Sequence, residues 1–280
     1  METFGVRLHR ATAERGPLCV GIDPHPSLLA RWGLSDDLAG LTRFSETVVA
    51  ALADRVAVVK PQSAFFERFG SRGVAVLEST IRQLREAGAL VLLDVKRGDI
   101  GSTVAAYAAA YLDPSSPLAA DAITASPYLG VGALAPMFDA AAAHGGGVFV
   151  LALTSNPEGP AVQHARGADG RTVAQTVIDE ISQLNAGAQP LGSIGLVVGA
   201  TIGDTGHDLS TVNGPLLAPG LGAQGGTAAD LRTVFGSAIR SVLPSYSREV
   251  LGAGPEIADL RAATARVLVE CRSALDVAAL

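Results

Sequence analysis

The chain has 280 residues, 48% hydrophobic and 17% charged, with 32 Gly, one Trp and four Tyr. That length holds one large core or two modest ones, and α/β barrels of this size run as one domain. A net charge of −6, a pI of about 5.4 and no basic run argue against a nucleic-acid-binding surface.

Residues 1–16 mix charged and apolar residues without a continuous apolar core, so they do not read as a signal peptide. No apolar stretch reaches the ~18 residues that a membrane helix requires. Cys19 and Cys271 form neither a C-x-x-C pair nor a disulfide framework, which suits a reducing compartment. A cytoplasmic protein is expected.

Eight short runs rich in Val, Leu and Ile follow in order, at residues 18–23, 56–61, 90–96, 122–126, 148–154, 194–200, 215–221 and 238–246. They are continuous rather than alternating, which predicts strands buried on both faces. Helical periodicity lies between most of them. Ser71 reads as an N-cap, Val74, Leu77, Ile81 and Leu84 follow at spacings of three and four, and Gly88 marks the stop. A final helix carries Ile257, Leu260, Val267, Leu268 and Cys271. No linker or repeat divides the chain. The pattern predicts an α/β fold, a closed (β/α)8 barrel, as a single domain over residues 1–280.

Asp23, Lys60, Lys96, Ser155 and Gln224 fall at or just past the C-terminal ends of predicted strands, the face where such barrels carry active sites. Asp94 and Lys96 stand two apart on one strand, so both face the barrel mouth. A structural ion pair at a strand end would also account for them; a buried acid and base usually serve a site. Gly220, Gly222, Gly225 and Gly226 would let backbone approach a phosphate after the seventh strand, with Gln224 and Arg248 beside it. The histidines at 9, 25, 144, 164 and 207 are scattered and read as surface or loop residues, and no metal-ligand spacing is present.

The run Leu92-Leu93-Asp94-Val95-Lys96-Arg97-Gly98-Asp99-Ile100-Gly101-Ser102-Thr103 resembles the Asp-x-Lys-x-x-Asp signature of orotidine 5'-phosphate decarboxylases. Gly21-Ile22-Asp23, Val59-Lys60-Pro61, Thr154-Ser155-Asn156-Pro157, the block 218–226 and Ser247-Arg248 stand around it in the order of that family. The resemblance implies decarboxylation of orotidine 5'-phosphate to UMP with no cofactor and no metal. Lys60, Asp94, Lys96 and Asp99 would form the charged catalytic array, with Lys96 as proton donor. Asp23 and Lys60 would hold the ribose, Ser155 the pyrimidine, and Gln224, Gly225 and Arg248 the phosphate. Asp99 and Thr103 would reach the neighbouring subunit's site, so a homodimer with shared sites is implied. Two features depart from the short form of the family: the long stretch 24–40, and Ser247 where that form has Gly.

Two rivals remain. Metal-dependent 3-hexulose-6-phosphate synthases and keto-gulonate-phosphate decarboxylases share the signature but place a metal-binding Glu where Lys60 stands here. A non-catalytic phosphate-binding barrel would have no use for a carboxylate at Asp94.

Overall fold

The structure, a computed structural model, describes residues 1–276; the last four residues of the domain expected over 1–280 lie outside the described residues. The eight strands are β1 (Cys19–Ile22), β2 (Val58–Pro61), β3 (Leu90–Arg97), β4 (Ala122–Ala125), β5 (Gly147–Leu153), β6 (Ile194–Val198), β7 (Leu216–Ala218) and β8 (Val242–Tyr246). Each pairs in parallel with the next, and β8 closes onto β1 through Cys19↔Ser245 and Val20↔Tyr246. The continuous apolar runs are explained by two apolar layers. One face of each strand packs on the surrounding helices, and the other fills the barrel.

The barrel interior shows how the site is positioned. Val58 and Lys60, Leu92 and Asp94, and Ala122 with Thr124 are pairs two residues apart on their strands. The first of each pair joins the interior apolar cluster, and the second lines the cavity above it. Apolar layers therefore sit toward the strand starts and polar groups toward the strand ends.

A helix that the sequence did not announce, Phe4–Arg15, closes the lower end. Its Phe4 and Leu8 are buried in the same cluster as Cys19, Val58, Leu92 and Phe149, and the Phe4 and Phe149 rings meet edge to face at 6.0 Å. Burying two such side chains is worth about 1.5–3 kcal/mol each. Gly147 is required beneath them, because a Cβ there would come 2.4 Å from the Phe4 ring.

Two local expectations are corrected, and a third, the final helix, is met except at its first residue. The eighth run was expected to begin at residue 238, but Gly236–Ser241 is a 3-10 turn and β8 starts at Val242; the apolar Ala238 and Ile239 pack on the core from outside the sheet. Ser71 is not an N-cap. The helix runs Gly70–Glu86 with Phe69 in the cap position, because the preceding helix Ala64–Glu67 feeds into it through a left-handed Gly70 (φ 65°). The final helix, Ile257–Ala274, buries Leu260, Val267 and Cys271, whereas Ile257 is 38% exposed at its first turn. The stop at Gly88 (φ 87°) stands where the periodicity put it.

The long stretch after β1 holds the helix Pro26–Arg31 and then Trp32. The Trp32 ring packs against Phe44 at 4.3 Å, and its Nε1 donates to the Leu251 carbonyl at 2.9 Å. The insertion is thereby tied to the segment after β8, bracing the two chain stretches that carry Asp23 and Arg248.

Candidate active site

A cavity of about 380 Å³ opens at the C-terminal ends of the strands, within the size range of small-ligand sites. Asp23, Lys60, Asp94, Lys96, Ser155, Gln224 and Arg248 all line it. Its floor is a charged chain. Lys60 Nζ lies 3.1 Å from Asp94 Oδ2, and Lys96 Nζ lies 2.6 Å from Asp94 Oδ1. Lys60 and Asp94 are 6% and 8% exposed, while the Lys96 side chain is 46% exposed toward the opening.

Thr124, at the matching height on β4, organises this chain and was not found in the sequence. Its hydroxyl donates to Asp94 Oδ1 at 2.8 Å and accepts from the Lys96 backbone N–H at 2.9 Å. A lone Thr in an apolar run carries little signal; only its in-facing parity with the strand end would have marked it.

Lys96 is reached by an irregular backbone. The β3–β4 register shifts between Leu93 and Arg97, and Lys96 is left-handed with φ 45°. That conformation costs a non-glycine residue roughly 1–2 kcal/mol, and the Thr124 bond to its N–H helps hold it. Simple strand alternation explains Leu92 and Asp94; the register shift and the left-handed residue set the direction of Lys96.

Burial would raise the Asp94 carboxyl, but the Lys60 and Lys96 ammonium groups and the bonds from Lys96 and Thr124 outweigh it. Asp94 is therefore held below the usual carboxylate range and is ionised. Burial would likewise lower Lys60, but Asp94 and then Asp23 reverse this and raise it. Both groups of the buried pair carry charge.

The remaining expected residues divide. Asp23 is 7% exposed at the end of β1. Ser155 follows β5, and exposed Arg248 opens the short helix Arg248–Leu251 after β8. Gln224 lies on the cavity wall, but Gly225 does not. The Gly225 N–H donates to the Gly222 carbonyl at 2.8 Å, and Gly226 N–H to Gly220 at 3.0 Å, so these glycines build the turn that presents Gln224. Asp99 and Thr103 are also off the wall. Asp99 accepts from the Ile100 N–H at 2.8 Å, and Thr103 is exposed in the first turn of the helix Gly101–Leu112.

His25, read from the sequence as a surface or loop residue, lines the cavity, its ring 4.3 Å from that of Phe65. Burial, then Arg248 and Arg68, lowers its pKa against the opposing effect of Asp23. Its place two residues past Asp23 was the available signal. Among the described residues, no group of three His, Cys, Asp or Glu side chains converges as a metal site, and no helix is long and apolar enough to cross a membrane.

The class is defined by these features: a (β/α)8 barrel with a buried Lys60–Asp94 pair, joined by the half-exposed Lys96, below an arginine-bearing rim. Residues 16–263 match the Orotidine 5'-phosphate decarboxylase / HUMPS family. An orotidine 5'-phosphate decarboxylase of Salinispora arenicola is 83% identical over 275 residues, covering 98% of this chain and 99% of that protein. One from Streptomyces coelicolor is 64% identical over 276 residues, covering 98% and 99%. A crystal structure from Streptomyces avermitilis superposes with a TM-score of 0.96 at 62% identity, covering 99% of this chain and 97% of the other. The chain belongs to the Orotidine 5'-phosphate decarboxylase / HUMPS family.

Proposed function

We propose that the chain is an enzyme that decarboxylates orotidine 5'-phosphate to UMP, with Lys96 delivering the proton that replaces CO2. The observation that carries this is the chain Lys60–Asp94–Lys96, in which one ionised carboxylate is held between two ammonium groups inside the cavity. High identity to named decarboxylases over nearly the full length supports the same reaction. The rival sugar-phosphate enzymes of the family are disfavoured because Lys60 occupies the place of their metal-binding Glu.

The substrate carboxylate lies beside Asp94, and their repulsion is relieved as the bond between it and C6 breaks. The electron pair stays on C6 while CO2 leaves. The Lys96 ammonium offsets that charge and then transfers a proton to C6, leaving a neutral amine that is reprotonated from solvent. Preorganisation makes this effective, since Thr124 and Lys60 fix Asp94 before substrate arrives. Asp23 takes a ribose hydroxyl, Ser155 reads the base, and Gln224 with Arg248 grips the phosphate. Binding energy gained at that distant end serves the reacting end.

Asp99 and Thr103 act in a partner subunit's site within a homodimer. Their placement off the cavity wall supports this, as does the apolar Ile100 next to Asp99, which is 61% exposed. A spectrophotometric assay of purified protein with orotidine 5'-phosphate and EDTA tests the reading. UMP should form at an undiminished rate. Turnover that is lost to EDTA and restored by magnesium transfers the assignment to the metal-dependent rivals.

A further inference from the structure

Two polar atoms in the cavity wall are shielded from solvent and have no hydrogen-bond partner among the described residues: Asp23 Oδ1 and Ser247 Oγ. Such groups are costly, about 1–3 kcal/mol each when left unsatisfied. They are also neighbours. β1 and β8 are paired, and a Cβ placed on Gly21 would lie 2.9 Å from Asp23 Oδ2 and 3.2 Å from Ser247 Oγ. The Asp23 carboxylate, through its other oxygen, and the Ser247 hydroxyl thus both lie within 3.2 Å of the point a Gly21 side chain would fill, and they do not bond each other.

The chemistry of the pair limits what can satisfy it. An ionised carboxylate only accepts, whereas a serine hydroxyl donates and accepts. A phosphate oxygen could accept from Ser247 but would be repelled by Asp23. An ammonium could donate to both, yet the cavity already holds Lys60 and Lys96. A neutral hydroxyl suits both at once, donating its proton to Asp23 while accepting from Ser247.

We infer that Ser247 is a further substrate-binding residue, whose hydroxyl donates to the same sugar hydroxyl of the nucleotide that Asp23 accepts from. This rests on the nucleotide reading above. It gives a role to the serine that stands where the short form of the family has glycine, and it places that role on the sugar rather than on the phosphate held by adjacent Arg248.

The test titrates wild type and Ser247→Ala with UMP, 2′-deoxyUMP and 3′-deoxyUMP, with melting temperatures measured on the same preparations. The variant should bind UMP about five- to tenfold more weakly, the value of one hydrogen bond. KM for orotidine 5'-phosphate should rise with it, and kcat should change little. Melting temperature should hold or rise, because an unpartnered buried hydroxyl has been removed. With one of the two deoxy analogues the difference between the proteins should vanish, since the contact is already gone. Equal UMP affinity in both folded proteins overturns the inference. So does a loss that persists undiminished with both deoxy analogues, which places the contact elsewhere on the ligand. A wild type that binds no UMP overturns the nucleotide reading itself, and the inference falls with it.

Discussion

Lys96→Ala separates a catalytic centre from a structural ion pair. The substitution removes the proposed proton donor, which is also the cation 2.6 Å from Asp94 Oδ1. Losing one electrostatic stabiliser of a transition state costs around 10²–10³-fold in rate, and losing a general acid around 10²–10⁴-fold. A group doing both should cost on the order of 10⁴-fold or more, short of the full product because such effects do not add. The folding cost is far smaller. The Lys96 side chain is 46% exposed, so solvent screens its pairing with Asp94. Asp94 also keeps Lys60 at 3.1 Å and Thr124 at 2.8 Å. A loss near 1 kcal/mol would lower Tm by about 2–4 °C in a chain of this size. Turnover and Tm are read on one preparation, with Lys96→Arg alongside, which keeps the charge but gives up a proton poorly. A well-folded Lys96→Ala protein with more than about a tenth of normal turnover, far above the loss of a general acid, would refute the assignment.

Three further outcomes follow from the same geometry. Mixing inactive Lys96→Ala with inactive Asp99→Ala should restore some activity, because one site of each mixed dimer then has both residues intact; no recovery despite demonstrated subunit exchange would return Asp99 to its own subunit's site. Arg248→Ala should lower kcat/KM for the phosphorylated substrate at least tenfold, from loss of roughly 1.5–3 kcal/mol of charge-assisted bonding, and scarcely affect a substrate without phosphate; equal losses would show that Arg248 does not touch that group. Asp94 is depressed in the folded state, so its contribution is present above the unfolded carboxyl value of about 3.9 and is lost as pH falls below it. Asp94→Asn should therefore flatten the acid limb of the stability–pH curve while lowering stability at neutral pH, where Lys60 loses its buried partner; an unchanged acid limb would count against an ionised Asp94.

How far the sequence speaks depends on which physics sets each feature. The strands were legible because a parallel barrel buries both faces, leaving eight apolar runs with helices between all of them except β6 and β7. The run at residues 238–241 misled because Ala238 and Ile239 are as apolar as a strand but serve a 3-10 turn packed outside the sheet. The helix Phe4–Arg15 went unseen because only three of its residues, Phe4, Gly5 and Leu8, are buried, too few for a periodic signal. Within the site, residues whose chemistry is unusual for their position, such as Lys60 and Asp94, stood out from apolar neighbours. Thr124 and His25 did not, because a threonine in a strand and a histidine after one have ordinary explanations.

Lys96 shows the remaining gap between pattern and geometry. Alternation alone predicts that residues two apart share a face, about 6.6 Å along an extended strand. The lysine stem is long enough to span that rise, and the ammonium meets Asp94 at 2.6 Å from a left-handed residue in a stretch where the β3–β4 register slips. An irregularity of this kind re-aims a side chain next to a site, and no residue type in the run marks it, since a lysine is a poor choice for φ 45°. The conformation is held from outside β3 by Thr124, which bonds the Lys96 N–H and the Asp94 carboxylate together. One hydroxyl on the next strand thus fixes both the backbone that aims the Lys96 ammonium and the charge that it faces, a coupling that exists only once β3 and β4 are paired.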